Sequence, residues 1–117
     1  MGHLFSFDID GTLEVGDPSG SVTMKLVRRI KDRGNLVGSC SDRPVSYQRE
    51  LWDRHDIVVD FTVLKDRLED VKSRFQADDY YHIGDTAMDE FFAERAGFHF
   101  IKVDSALYYD WSAEIAP

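Results

Sequence analysis

The stretch Phe5-Ser6-Phe7-Asp8-Ile9-Asp10-Gly11-Thr12 limits the fold more than any other part of the chain. It is an apolar run that stops abruptly in two carboxylates, a glycine and a hydroxyl. An apolar run feeding a glycine-bearing turn fits a strand of a buried parallel sheet, where ligands gather beyond the carboxyl ends of the strands. Two aspartates two residues apart at such an end repel each other unless a cation lies between them. Oxygen ligands at this short spacing suit a hard ion, Mg²⁺ ahead of any transition metal.

The rest of the chain repeats the theme of short apolar runs alternating with helix-length segments. Residues 3–9 read as the first strand, and residues 14–21, with Gly16, Asp17, Pro18 and Gly20, as a turn-rich loop. Met24, Val27 and Ile30 lie at helical spacing in a helix over 22–33 closed by Gly34. A short second strand, 36–40, ends at Ser41-Asp42-Arg43-Pro44, with Pro44 at the first turn of a helix to about residue 55. Tyr47, Leu51 and Trp52 form its inner side. Ile57-Val58-Val59 reads as the third strand and Phe61 to Leu64 as an apolar connector. Lys65 opens a helix with Leu64, Leu68, Val71 and Phe75 at helical spacing. Residues 80–83 are the fourth strand, 87–96 a helix presenting Met88, Phe91 and Phe92, and 98–103 the fifth strand.

Strict alternation implies an α/β fold: a three-layer, Rossmann-like, doubly wound sheet of about five parallel strands with right-handed crossovers. The 117 residues make one domain with no inserted cap. Asp8, Asp10, Ser41, Asp60 and Asp85 each follow a strand in this reading, so one sheet edge gathers them. The terminal segment carries Leu107, Tyr108, Tyr109 and Trp111, too apolar for a free tail, and is expected to pack on the body or on a second subunit as a homo-oligomer contact.

A net charge of −8 disfavours general affinity for nucleic acid or an anionic membrane. The apolar runs are too short to span a bilayer, and no secretion leader is expected at the start. Cys40, the single cysteine, cannot close an intramolecular disulfide and suits a reducing cytoplasm.

Asp8-Ile9-Asp10-Gly11-Thr12 resembles the first motif of the haloacid dehalogenase superfamily of phosphohydrolases. Ser41 looks like the second motif's strand-terminal hydroxyl, Lys65 like the third motif's lysine, and Gly84-Asp85-Thr86-Ala87-Met88-Asp89 is similar to the acidic fourth motif. The matches come in family order from the first strand to the fourth. A phosphoryl dianion admits a carboxylate nucleophile only if cations shield it, and Mg²⁺ on Asp8, Asp85 and Asp89 with the Lys65 ammonium would do so. Asp8 would form an aspartyl-phosphate, and Asp10 would protonate the leaving alkoxide and later deprotonate water. Ser41 and the amides of the Asp10–Thr12 turn would hold phosphoryl oxygens, with Thr12 and Arg43 as further candidate substrate contacts. The resemblance implies the same roles, with Asp10 also binding metal through its backbone carbonyl. An Asp at position 10 is what the family's phosphatases carry and its dehalogenases lack. A chain without room for a cap implies a capless member with an open site, suited to large phosphorylated substrates.

Two other readings use the same residues. A signalling receiver domain resembles this chain in its acidic pair after the first strand, with Asp60 as phospho-acceptor, Thr86 and Lys102. Against it stand the Gly11-Thr12 tail and the Asp85…Asp89 spacing. A non-catalytic, phosphate-ester-binding module of the same family is the second. Locally, Lys72 competes with Lys65 and Ser39 with Ser41. Thr86 with Asp89 is also a capping box, Asp42 a helix cap, and His82 a packed strand residue.

Overall fold

The computed structural model describes residues 2–106. The expected aromatic contact of Leu107, Tyr108, Tyr109 and Trp111 lies outside the described residues. Five strands, β1 (Leu4–Phe7), β2 (Leu36–Ser41), β3 (Phe61–Leu64), β4 (Tyr80–Gly84) and β5 (His99–Lys102), form one all-parallel sheet in the order β3-β2-β1-β4-β5. Helices α1 (Met24–Asp32), α2 (Val45–Arg54), α3 (Leu68–Arg74) and α4 (Ala87–Ala96) connect them, and a short α5 (Val103–Ala106) follows β5. No helix among the described residues is long and apolar enough to cross a membrane.

The α/β expectation holds, and strand alternation explains its layers. Phe5 and Phe7 of β1 pack with Met24, Val27 and Ile30 of α1 and with Leu51 and Trp52 of α2. Leu4 packs on the other face with Leu68 and Val71 of α3 and Ala93 and Ala96 of α4. A strand buried on both faces cannot alternate apolar with polar, which is why Leu4, Phe5 and Phe7 of β1 are all apolar, with Ser6 the exception. Each fully buried Leu or Phe side chain here stabilises the fold by about 1.5–3 kcal/mol. Thr23 caps α1 by accepting from the Leu26 amide, and Gly97, at φ 80°, closes α4.

Three local expectations are corrected. Ile57-Val58-Val59 is not a strand; β3 is Phe61–Leu64, in register with Gly38–Ser41 of β2. A crossover helix runs back along the sheet, so α2 delivers the chain to the amino end of the strands, and the connector is needed there before the next strand can begin. Asp60 therefore precedes β3. Its amide donates to the Val37 carbonyl and its carboxylate accepts from the Val37 amide, 2.7 and 2.9 Å, pinning the start of the edge ladder. It stands at the opposite sheet edge from Asp8, where a receiver's phospho-acceptor would not be. Second, α4 does not bury Met88 and Phe91, which are 52% and 53% exposed; it turns Asp89, Ala93 and Ala96 inward, small residues that let it lie close to the sheet. Third, Asp42 caps nothing: Pro44 occupies the position before α2, and no side chain caps that helix.

Candidate active site

Strand order reverses between β1 and β4, which makes that crevice the place where a doubly wound sheet binds ligands. Asp8 emerges there. Its amide still donates to Ile83 of β4 at 2.9 Å, so the backbone is fixed where the carboxylate leaves the sheet. Asp8 is 4% exposed, with the Thr12 hydroxyl 3.5 Å from Oδ2 and the Lys65 ammonium 3.8 Å from Oδ1. Burial, then the negative charge of Asp89, push its carboxyl from an ordinary 3.8 up to about 8, while Lys65 pulls the other way. A carboxyl in this position holds a proton or draws in a cation.

Lys65 arrives because it is the first residue after β3, opening a 3-10 turn, Lys65–Arg67. Its buried ammonium lies 3.2 Å from Asp89 Oδ1 and 3.6 Å from Asp42 Oδ2. Burial alone would lower its pKa; Asp8, Asp89 and Asp42 outweigh that and raise it. Lys72 is elsewhere, donating to the Gly97 carbonyl at 3.1 Å. Ser41, at the tip of β2, is buried and accepts from the Arg43 amide at 3.1 Å, leaving its O–H to donate. Ser39 instead faces α2, bonded to Gln48 and Trp52.

Asp8, Asp85 and Asp89 bring one oxygen each within 4.8 Å of one another. Asp85 Oδ1 is buried without a hydrogen-bond partner among the described residues. Leaving such an atom unpaired costs about 1–3 kcal/mol, more when charged. A Cβ at Gly11 would collide with the Asp85 carboxylate, so residue 11 makes space for that group by having no side chain; its φ of 76° also favours glycine. An all-oxygen donor set with one oxygen unpaired fits a hard cation between Asp8 and Asp85.

Asp89 contributes differently. Its Oδ2 accepts from the Asp85 and Thr86 amides and the Thr86 hydroxyl, the capping box expected from sequence, while Oδ1 faces His82 Nε2 and Lys65. Both of its oxygens are thus engaged by protein groups. Burial would raise its pKa, but the hydrogen bond and charge of His82, then Lys65, hold it well below the usual carboxylate range.

Asp10 lines the same cleft but is held by other partners. Arg43 grips its carboxylate with Nε at 2.7 Å and a terminal nitrogen at 3.3 Å, and the Asp17 amide donates at 2.9 Å. Burial opposes ionisation; Arg43, the Asp17 amide and Lys65 overcome it and lower the Asp10 pKa. Thr12 is wholly buried beneath Asp8, and the Gly11 and Thr12 amides donate to Pro18 and Ile9 carbonyls. The phosphate-cradling expected of those two amides is thus taken up by the loop itself.

No family model, curated protein or solved structure matches this chain. What the site can do must come from its own atoms. Asp8, Asp10, Ser41, Asp42, Lys65, Asp85, Thr86 and Pro18 line a cleft of about 200 Å³. A larger cleft of about 390 Å³ lies beside the start of β3 among Trp52, Asp60, Phe61 and Arg74, away from these carboxylates. The convergence of buried charge, rather than cleft size, marks the smaller one as the site.

Two residues at the site were not singled out for it in the sequence. His82 bridges Ser6 Oγ at 2.9 Å and Asp89 Oδ1 at 3.0 Å, completing a buried chain Ser6–His82–Asp89–Lys65. The signal was there: Ser6 and His82 each interrupt an apolar strand and stand directly opposite in register. Gln48, fully buried, donates to the Arg43 and Val63 carbonyls at 2.9 and 3.0 Å, clamping the loop that follows Ser41. Replacing His82 by Leu strips a partner from both Ser6 and Asp89. It should lower unfolding free energy by about 2–4 kcal/mol in denaturant titration. A loss below about 0.5 kcal/mol, the size of an ordinary surface change, would show that the chain does not hold Asp89.

Proposed function

We propose that the chain is a Mg²⁺-dependent phosphomonoester hydrolase working through an aspartyl-phosphate on Asp8. The observation carrying this is Asp8 itself, a buried carboxylate at the switch point with an ammonium on one side and an unpaired Asp85 oxygen on the other. Mg²⁺ held by Asp8 and Asp85, with Asp89 close by, would supply shielding of phosphoryl charge. Lys65 and the Ser41 hydroxyl take phosphoryl oxygens. An Asp8 oxygen forms the new bond to phosphorus as the ester P–O bond breaks, and Asp10 gives its proton to the leaving oxygen. In the second half, Asp10 takes a proton from water, the water oxygen attacks phosphorus, and the bond to Asp8 breaks to release phosphate. For Asp10 to do this its side chain must leave Arg43.

The open cleft supports substrates that project into solvent, including phosphorylated macromolecules. Burial pushes the Cys40 thiol up, making it an inert core residue, and a lone cysteine that forms no intramolecular disulfide suits a cytoplasmic protein. The test is phosphate release from a panel of phosphomonoesters with Mg²⁺ and with a chelator. We expect release from at least one ester, stimulated by Mg²⁺ about tenfold or more. Silence from every ester in the presence of Mg²⁺ would sink the reading.

A further inference from the structure

Arg43 holds Asp10 in the side-on, two-point geometry that a guanidinium uses for any free carboxylate. Its carbonyl is tied to buried Gln48, its amide to Ser41, and its guanidinium carbon lies 4.8 Å from the Tyr47 ring centroid. The fork is therefore mounted on a fixed base beside Asp10, which lines the cleft. Asp10, by contrast, sits on the turn after β1, and to act as the general acid its carboxyl must leave Arg43. That departure strips Arg43 of its charge-assisted partner unless another carboxylate takes the place.

We infer that Arg43 is a specificity residue that exchanges Asp10 for a carboxylate on the substrate, so that the site selects phosphomonoesters that carry a carboxylate close to the ester oxygen. The inference rests on the hydrolase reading. A carboxylate fits better than a second phosphate because Asp17 is near Arg43 and Asp42 lines the cleft, and a dianion there meets more repulsion than a monoanion. A substrate bearing the carboxylate a bond or two from the ester oxygen frees Asp10 in the act of binding. A neutral ester leaves Asp10 held.

The experiment is calorimetry with phosphoglycolate and ethyl phosphate, near-isosteric esters differing in the carboxylate, on Asp8→Asn protein with Mg²⁺ so that nothing turns over. Methylene bisphosphonate serves as the doubly phosphorylated arm. We expect phosphoglycolate to bind about tenfold or more tighter than ethyl phosphate. Adding Arg43→Gln should bring that ratio close to one, and Arg43→Lys, which keeps charge but loses the fork, should restore part of it. Because the readout is a ratio within one protein, a general loss of folding or metal does not imitate it. Equal ratios with and without the Arg43→Gln substitution, or tighter binding of the bisphosphonate than of phosphoglycolate, would overturn the inference. A preserved preference in a native chain that hydrolyses no ester would support the carboxylate exchange and sink the hydrolase reading; hydrolysis without preference would do the reverse.

Discussion

Asp8→Asn will cut Mg²⁺-dependent phosphate release by roughly 10⁴-fold or more, the order seen when a covalent nucleophile is removed. An amide oxygen is neither charged nor able to form a stable link to phosphorus, yet Asn fills the same space beside Thr12 and Lys65. The fold should not suffer. In the metal-free protein the Asp8 carboxyl is raised from 3.8 to about 8, chiefly by burial and then by Asp89. A raised acid favours the folded state while protonated, and that advantage fades as pH climbs from about 4 toward 8, over which the unfolded chain has already ionised. Removing the ionisation should therefore leave chelator-treated Asp8→Asn at least as stable as the native chain at neutral pH, and flatten its loss of stability across that range. The check pairs initial rates with denaturant titrations at several pH values. Turnover within tenfold of native would remove Asp8 as nucleophile. A large loss of stability would mean that Asp8 is a structural ion pair and that the activity change says nothing about chemistry.

The sequence made the sheet and its acidic edge legible for a physical reason. Strands buried on both faces are mostly apolar, and a carboxylate pair can end such a strand only where something compensates it. Asp8, Asp10, Ser41 and Asp85 were found by that rule, whereas Lys65 was singled out only by the motif resemblance. The third strand was misplaced because Ile57-Val58-Val59 and Phe61-Thr62-Val63-Leu64 are both short β-branched runs, and local pattern cannot tell which one a crossover helix reaches. Placing β3 at Phe61–Leu64 moves Asp60 to the far edge and puts Lys65 directly at a strand end, as Asp8 and Asp85 are. Side-chain direction was the least legible feature. That Asp10 points to Arg43, or that Asp89 gives Oδ1 to Lys65, depends on contacts between residues tens of positions apart. Gln48 escaped because a polar residue on a helix face reads as solvent-exposed unless its buried partners are known.

Mg²⁺ should raise the thermal midpoint of the native chain, and Asp85→Asn should abolish the rise while raising the metal-free midpoint. At one hundred times its dissociation constant, a ligand that binds only the folded state adds about 2.7 kcal/mol. For a domain of this size, each kcal/mol moves the midpoint by about 4 °C, so a shift of roughly 10 °C is expected. Asp85→Asn keeps the group's shape over Gly11 but supplies an N–H to its crowded neighbourhood and removes one of two adjacent carboxylates. Hence the two opposite signs. General screening of a chain with net charge −8 also stabilises it, but that effect survives Asp85→Asn almost unchanged and is reproduced by monovalent salt at equal ionic strength. Equal Mg²⁺ increments in the two proteins would place the ion elsewhere and leave the unpaired oxygen of Asp85 without its explanation. Loss of the increment together with a lower metal-free midpoint would instead make Asp85 a structural acceptor. Only loss of the increment with a higher metal-free midpoint assigns it to the cation.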